Sequence, residues 1–231
     1  MCFSATASFV AGAALIAGGT VAIRKSADLG PRFLGFAVFP FFFGVQQLSE
    51  GLLWLTLDGP GPVAPGAAAL VFLFFAYWFW PLWVPLSSAL VEPDPFRRRI
   101  FWGLSAFGFS LGAVLFLPVL ARPETLDIYL VKHSIQYENP SMFPGETAKI
   151  VARLIYAVVI CPPLVGSSHP QIRIFGWLIL ASVVAGFVFA AYAFTSIWCF
   201  LAAIISGYIV YMMTAIGRED ALVDPSRRNL S

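Results

Sequence analysis

Phe41-Phe42-Phe43-Gly44-Val45-Gln46-Gln47-Leu48-Ser49-Glu50-Gly51-Leu52-Leu53-Trp54 is apolar enough to lie in a bilayer, yet it carries a carboxylate. The stretch is the centre of a longer run from Pro31 to Leu57, closed by Asp58-Gly59-Pro60-Gly61-Pro62. That run exceeds the ~20 apolar residues a helix needs to cross a hydrocarbon core. A carboxylate within it costs roughly 2.5–3.5 kcal/mol near the helix centre, so Glu50 needs a partner, a wet cavity or a proton.

The same pattern extends along the chain. Hydrophobic residues make up 59% of the 231 and charged residues 11%, with a mean hydropathy of +0.83. Soluble domains carry about 25% charged residues. Six further apolar segments are legible: Ser4 to Ile23, Val63 to Val91, Ile100 to Ala121, Lys149 to Gly166, Gln171 to Ala193 and Ser196 to Ile216. The expected fold class is therefore all-α, a seven-helix bundle integral to the membrane. A single transmembrane domain is expected over residues 1–216, with a polar tail over 217–231. No basic n-region precedes the first segment, so it is expected to remain in the mature protein. The connection 122–148 is the one long loop. In it Leu126-Asp127-Ile128-Tyr129-Leu130-Val131 and Ser134-Ile135-Gln136-Tyr137-Glu138 read as two short strands around Lys132-His133, a hairpin-like outer loop between helices 4 and 5.

Basic residues set the expected orientation. With the N-terminus outside, Arg24, Lys25, Arg32, Arg97, Arg98, Arg99, Arg173, Arg218, Arg227 and Arg228 face the cytoplasm, and only Arg122, Lys132, Lys149 and Arg153 lie outside. That asymmetry predicts N-out, C-in. The net charge of +2 is accordingly a topology signal, and nucleic acid is not an expected partner. Small residues predict close helix contacts at Gly108/Gly112, Ala181/Ala185 and Ala14/Gly18. The run Tyr77-Trp78-Phe79-Trp80-Pro81-Leu82-Trp83-Val84-Pro85 begins mid-span. Its prolines free carbonyls and kink the helix, leaving two readings: a cavity wall or ordinary aromatic packing.

In this orientation Glu50 lies about 8 Å beyond the midplane on the outer side, at 1.5 Å per residue. Gln46 and Glu50 share a helix face, Gln47 flanks it, and Phe43 and Trp54 continue the stripe. The functional reading is an outward-opening polar cavity lined by Gln46, Gln47, Glu50, Trp54 and Trp80, with Arg153 nearby. The plainer reading has the glutamines bonding neighbouring helices and Glu50 protonated or paired with Arg153. Cys2, His133 and Cys199 belong to the same side and with Glu50 form a candidate metal or thiol site. The set would suit a zinc or copper ion at the outer face, or a thiol nucleophile with a histidine base. A Cys2–Cys199 disulfide is the other reading. Cys161 reads as a packing residue, and Ser167-Ser168-His169 as the satisfaction of free backbone groups at a helix end.

Several seven-helix functions are argued against. A retinal protein needs a lysine deep in its last helix, and the lysines here are Lys25, Lys132 and Lys149. Intramembrane metallohydrolases and multi-haem proteins need more histidines than His133 and His169. No internal repeat of the transporter kind is evident.

The opening Met1-Cys2-Phe3-Ser4, the block Phe43-Gly44-Val45-Gln46-Gln47-Leu48-Ser49-Glu50-Gly51, Trp80 to Pro85, Ser167-Ser168-His169 and Ser196-Ile197-Trp198-Cys199 run through nearly the whole chain. Together they resemble an uncharacterised bacterial family of polytopic membrane proteins, one of the domains of unknown function. The resemblance implies a polytopic membrane protein in which Cys2, Gln46, Gln47, Glu50, His133, His169 and Cys199 occupy motif positions, and it implies no activity. Three functions are carried forward. The first is a receptor- or transporter-like protein binding a small ligand, ion or lipid around Glu50. The others are a membrane enzyme with a Cys2/His133/Glu50 centre, and an accessory subunit with protein partners in the bilayer.

Overall fold

The computed structural model describes residues 4–57, 66–131, 133–189 and 193–223. Seven helices in it are long and apolar enough to cross a membrane. We label them α1 (Ala5–Leu29), α2 (Pro31–Trp54), α3 (Ala67–Val91), α4 (Pro95–Ala121), α5 (Glu146–Val165), α6 (Pro170–Phe189) and α7 (Phe194–Val223, broken at Gly207). Between α4 and α5 stand two antiparallel strands, β1 (Asp127–Val131) and β2 (Ser134–Glu138), in the register Val131↔Ser134 to Asp127↔Glu138. Lys132 lies outside the described residues, as do the connection 58–65 and the chain beyond Val223.

Helix starts differ from the hydropathy pattern where caps decide them. The fourth helix begins at Pro95 and not near Ile100, because Asp94 Oδ1 accepts from the Arg97 amide at 2.7 Å and Pro95 supplies the first-turn φ. The last helix runs on to Val223, so the expected tail is helical over its first residues. Two of the three expected small-residue contacts are corrected. Ala14 and Ala181 are exposed. The seam of α1 instead runs through Ser8, Gly12, Leu15, Gly19 and Ala22, where a Cβ on Gly19 would stand 2.4 Å from the Phe41 amide nitrogen. The α6 seam runs through Gly176 against Leu164 and Gly186 against Phe194. Gly108 and Gly112 do face a close neighbour, the α3 backbone at Pro81 and Trp78. Which small residues touch is decided by the helix's rotation, which spacing alone does not fix.

The aromatic run of α3 contains a π-turn over Phe74–Phe79. There the Trp80 amide bonds to Phe75 O, one residue further back than in an α-helix. The matching donor for Ala76 O would be residue 81, which is proline and has none. Tyr156 of α5 fills that vacancy, its hydroxyl donating to Ala76 O at 2.5 Å. Ser105 of α4 similarly donates to Leu82 O at 3.1 Å.

At the end away from the hairpin, Glu92 is buried and joins the α3–α4 and α5–α6 turns. It accepts from the Asp94 amide at 3.2 Å, the Ser168 amide at 2.9 Å and the Ser168 hydroxyl. His169 Nε2 bonds Val91 O at 3.0 Å and Arg97 donates to Gly166 O at 2.9 Å. Ser167-Ser168-His169 thus satisfies free backbone groups, on two helix ends at once. Cys161 is buried in the apolar core.

The hairpin is docked on the bundle. Ile128, Ile135 and Tyr137 share one face, and the first two are fully buried against a cluster including Leu53, Phe72 and Phe116. The other face carries Tyr129, Gln136 and Glu138, with Glu138 bonded to Lys149 of α5 at 3.0 Å. That bond to Lys149 holds the Glu138 carboxyl below its ordinary value of 4.5. A depressed carboxylate contributes stability above its unfolded pKa and loses it as pH falls through the folded one. Hairpin amides are therefore expected to exchange faster as pH falls below about 4.5, after correction for intrinsic rates, and Glu138→Gln is expected to remove that acid dependence.

Candidate functional site

Glu50 lies one turn from the hairpin end of α2. It is 2% exposed, and Gln46 and Gln47 are wholly buried. Ser196, in the first turn of α7, donates its hydroxyl to Glu50 Oε1 at 2.5 Å, and Gln47 Nε2 lies 3.5 Å from Oε2. Glu50 therefore ties α2 to α7. Arg153 is not its partner: the guanidinium lies over the Phe194 ring, 5.0 Å from the centroid. Gln46 is used at both ends. Its carbonyl accepts from Trp80 Nε1 at 2.8 Å and its amide donates to Phe72 O at 3.4 Å. Trp80 is held in place by stacking on Phe43, with centroids 3.9 Å apart and planes 18° apart. For Gln46 the plainer reading, a bond between helices, matches what these contacts do.

Beneath the hairpin lies a cavity of about 90 Å³. That is room for roughly half a dozen waters. The π-turn of α3 contributes Ala76 and Tyr77, so the aromatic kink does form a cavity wall. Leu115 comes from α4; Tyr137, Asn139 and Phe143 come from the hairpin and the loop after it. From α5 come Lys149, Ala152, Arg153 and Tyr156, and from α7 Phe194, Thr195, Trp198 and Cys199. Arg153, expected near the opening, borders the cavity, and so does Cys199 of the candidate metal or thiol set. Gln46, Gln47, Glu50 and Trp54 do not border this cavity, and Trp80 borders a smaller apolar one of about 30 Å³ alongside. The polar column stands behind the wall, with Gln46 beside the Cys199 thiol.

One polar group of the cavity lacks a hydrogen bond and another lacks an ion pair. The Tyr137 hydroxyl is buried without a hydrogen bond, its ring stacked on Phe72 at 5.2 Å and 9°. Burial, with Glu50, Cys199 and Tyr77 nearby, pushes this hydroxyl well above the ordinary tyrosine value, so it stays a neutral donor. Arg153 has no carboxylate within ion-pair distance among the described residues. Lys149, in contrast, is bonded to both Glu138 at 3.0 Å and Glu146 at 2.9 Å. Behind the wall the Gln47 carbonyl and the Trp54 indole N–H are also buried and unpartnered.

The candidate metal or thiol set is described only in part. Cys2 lies outside the described residues. His133 is exposed at the hairpin turn with φ 59°, while Cys199 is a free, buried thiol of the cavity wall. Among the described residues no three His, Cys, Asp or Glu side chains converge as a metal site would require.

Tyr137 and Ser196 are site residues that the sequence reading passed over, and Tyr77 was met there only as the start of the aromatic run. Tyr137 had a signal, since it falls on the same hairpin face as Ile128 and Ile135. Ser196 sat inside a quoted motif, but nothing in one dimension pairs it with a carboxylate 146 positions away.

Residues 1–225 match a family of unknown function, DUF6629, and the chain belongs to that family. No curated protein and no solved structure matches it.

Proposed function

For this member of a family without an assigned activity, we propose a membrane protein that takes up a small molecule in the cavity beneath the hairpin, as a receptor or transporter would. The orientation is N-out in a bacterial inner membrane, which turns the hairpin and the cavity toward the outer face. The observation that carries the reading is the Tyr137 hydroxyl, buried without a hydrogen bond, at the same cavity as an Arg153 guanidinium that forms no ion pair among the described residues. A buried hydroxyl left unpaired costs about 1–3 kcal/mol, and a bound molecule offsets that cost. Glu50 acts on the ligand through α7: its bond to Ser196 sets the turn that presents Trp198 and Cys199 to the cavity.

Native mass spectrometry of the protein drawn gently from its own membranes is expected to detect a bound small molecule. Ala152→Trp, which fills the cavity, is expected to lose it. Tyr137→Phe is expected to weaken retention while leaving the ligand-free protein as stable as before or more so, by up to about 1 kcal/mol, because it removes an orphaned hydroxyl. A wild-type protein that carries nothing, or an Ala152→Trp variant that still carries the molecule, ends this reading.

A further inference from the structure

Resting on the ligand-binding reading, we infer that the ligand is an amphipathic anion: one carboxylate or phosphate head on an apolar body, with the head at Arg153 and the body against the Trp198 and Tyr156 wall. Three observations lead there. Among the described residues the cavity lining contains two basic residues and no acidic one. Of the two, Lys149 is bonded to both Glu138 and Glu146, whereas Arg153 forms no ion pair among the described residues and feels Glu146 only at longer range. The Arg153 guanidinium carbon lies over the Phe194 ring, 5.0 Å from the centroid, and a cation–π contact of this kind leaves N–H groups for a forked bond to carboxylate or phosphate oxygens.

The rest of the wall gives the other half of the specificity. Leu115, Phe143, Phe194 and Trp198 are apolar surfaces, and Trp198 has committed its indole N–H to Ser182 at 3.2 Å. Tyr156 has likewise committed its hydroxyl to Ala76 O. These two aromatic walls offer their rings to a ligand and not their polar atoms. Tyr137 is the further free donor, suited to a second head-group oxygen or a polar atom of the body. A cationic ligand would meet Arg153 with repulsion, and a neutral one would leave its guanidinium without an ion-pair partner at the cavity. The same chemistry is offered by a soluble organic acid and by an anionic lipid entering from the bilayer.

Three matched probes test the inference: 3-phenylpropionate, 3-phenylpropanol and 3-phenylpropylamine. Their affinities are measured by calorimetry or ligand-observed NMR on the full chain in phosphatidylcholine nanodiscs. The carboxylate is expected to bind at least tenfold tighter than the alcohol and the amine. Arg153→Gln is expected to erase that advantage while leaving the alcohol's affinity unchanged, which also reports that the variant is folded, and Arg153→Lys is expected to restore part of it. Phosphatidylglycerol in the nanodisc separates the two sources. If a lipid is the occupant, it competes with the carboxylate in the wild type and not in Arg153→Gln; if a soluble acid is, affinity is unchanged. Either result keeps the anion assignment. Equal binding of all three probes, or preference for the amine, overturns the anion assignment while the cavity reading survives, provided Ala152→Trp blocks them. Failure of all three probes to bind, or binding untouched by Ala152→Trp, overturns both.

Discussion

A single methyl group added at Gly108 is expected to disrupt α3–α4 packing and cost about 3 kcal/mol, the upper end of what overpacking costs. A Cβ there would lie 1.9 Å from Pro81 O and 2.5 Å from its carbonyl carbon, both backbone atoms that no rotamer change can move aside. Pro85 lacks the amide that would hold the Pro81 carbonyl in an α-helix, so this oxygen stands bare on the face that Gly108 covers. Van der Waals closeness is the main attraction between helices in lipid, and relieving the clash means moving the two backbones apart along their whole contact. Gly103 on the same helix is the control. A Cβ there meets nothing within 4 Å, so Gly103→Ala is expected to be neutral or to stabilise by about 0.5–1 kcal/mol. Thermal unfolding in detergent measures both, and equal effects at the two glycines would contradict the packing.

Removing the Glu50 carboxylate is expected to be costly or mild depending on what replaces it. Glu50→Leu keeps the volume but leaves the Ser196 hydroxyl and the Gln47 amide as donors without an acceptor, in a site open to almost no solvent. Two orphaned donors amount to about 2–4 kcal/mol. Glu50→Gln keeps the acceptor for Ser196. Its new amide meets the Gln47 amide, and that clash is removed when Gln47 turns over to present its carbonyl, which has no partner in the present arrangement. Its cost is expected to stay within about 1 kcal/mol, read from unfolding midpoints in the same detergent. Wild-type stability in Glu50→Leu would show that the carboxylate does not join α2 to α7. If Glu50 acts on the cavity only by positioning α7, Glu50→Gln is expected to retain most ligand binding while Glu50→Leu loses it.

Much of the bundle was legible because lipid imposes simple rules. Every backbone group must be satisfied within its own helix, so apolar stretches of spanning length have one reading, and all seven segments became helices. The hairpin was legible for a different reason: Ile128 and Ile135 alternate with Tyr129 and Gln136, and strands expose that period directly. The small-residue seams were half legible. Ala14 and Gly19 differ by little more than one turn, yet one faces out and the other touches Phe41, because rotation about the axis is set by the neighbouring helices.

The site divided along the same line. Residue type and depth marked Glu50, Gln46 and Gln47 as groups that must find partners, and they did so among themselves and with Ser196, Trp80 and Phe72. Composition and periodicity by themselves determined a seven-helix chain with a carboxylate near one end and a two-stranded flap above it. Only the tertiary structure decided that the carboxylate is a tie between helices and that the open space lies next to it, between Tyr77, Tyr137, Arg153 and Trp198. The physical reason is that a cavity is what packing leaves unfilled. Its place depends on a π-turn in α3, the docking of Tyr137 on Phe72 and the placing of the Arg153 guanidinium over Phe194, the last two being contacts between residues far apart in the chain.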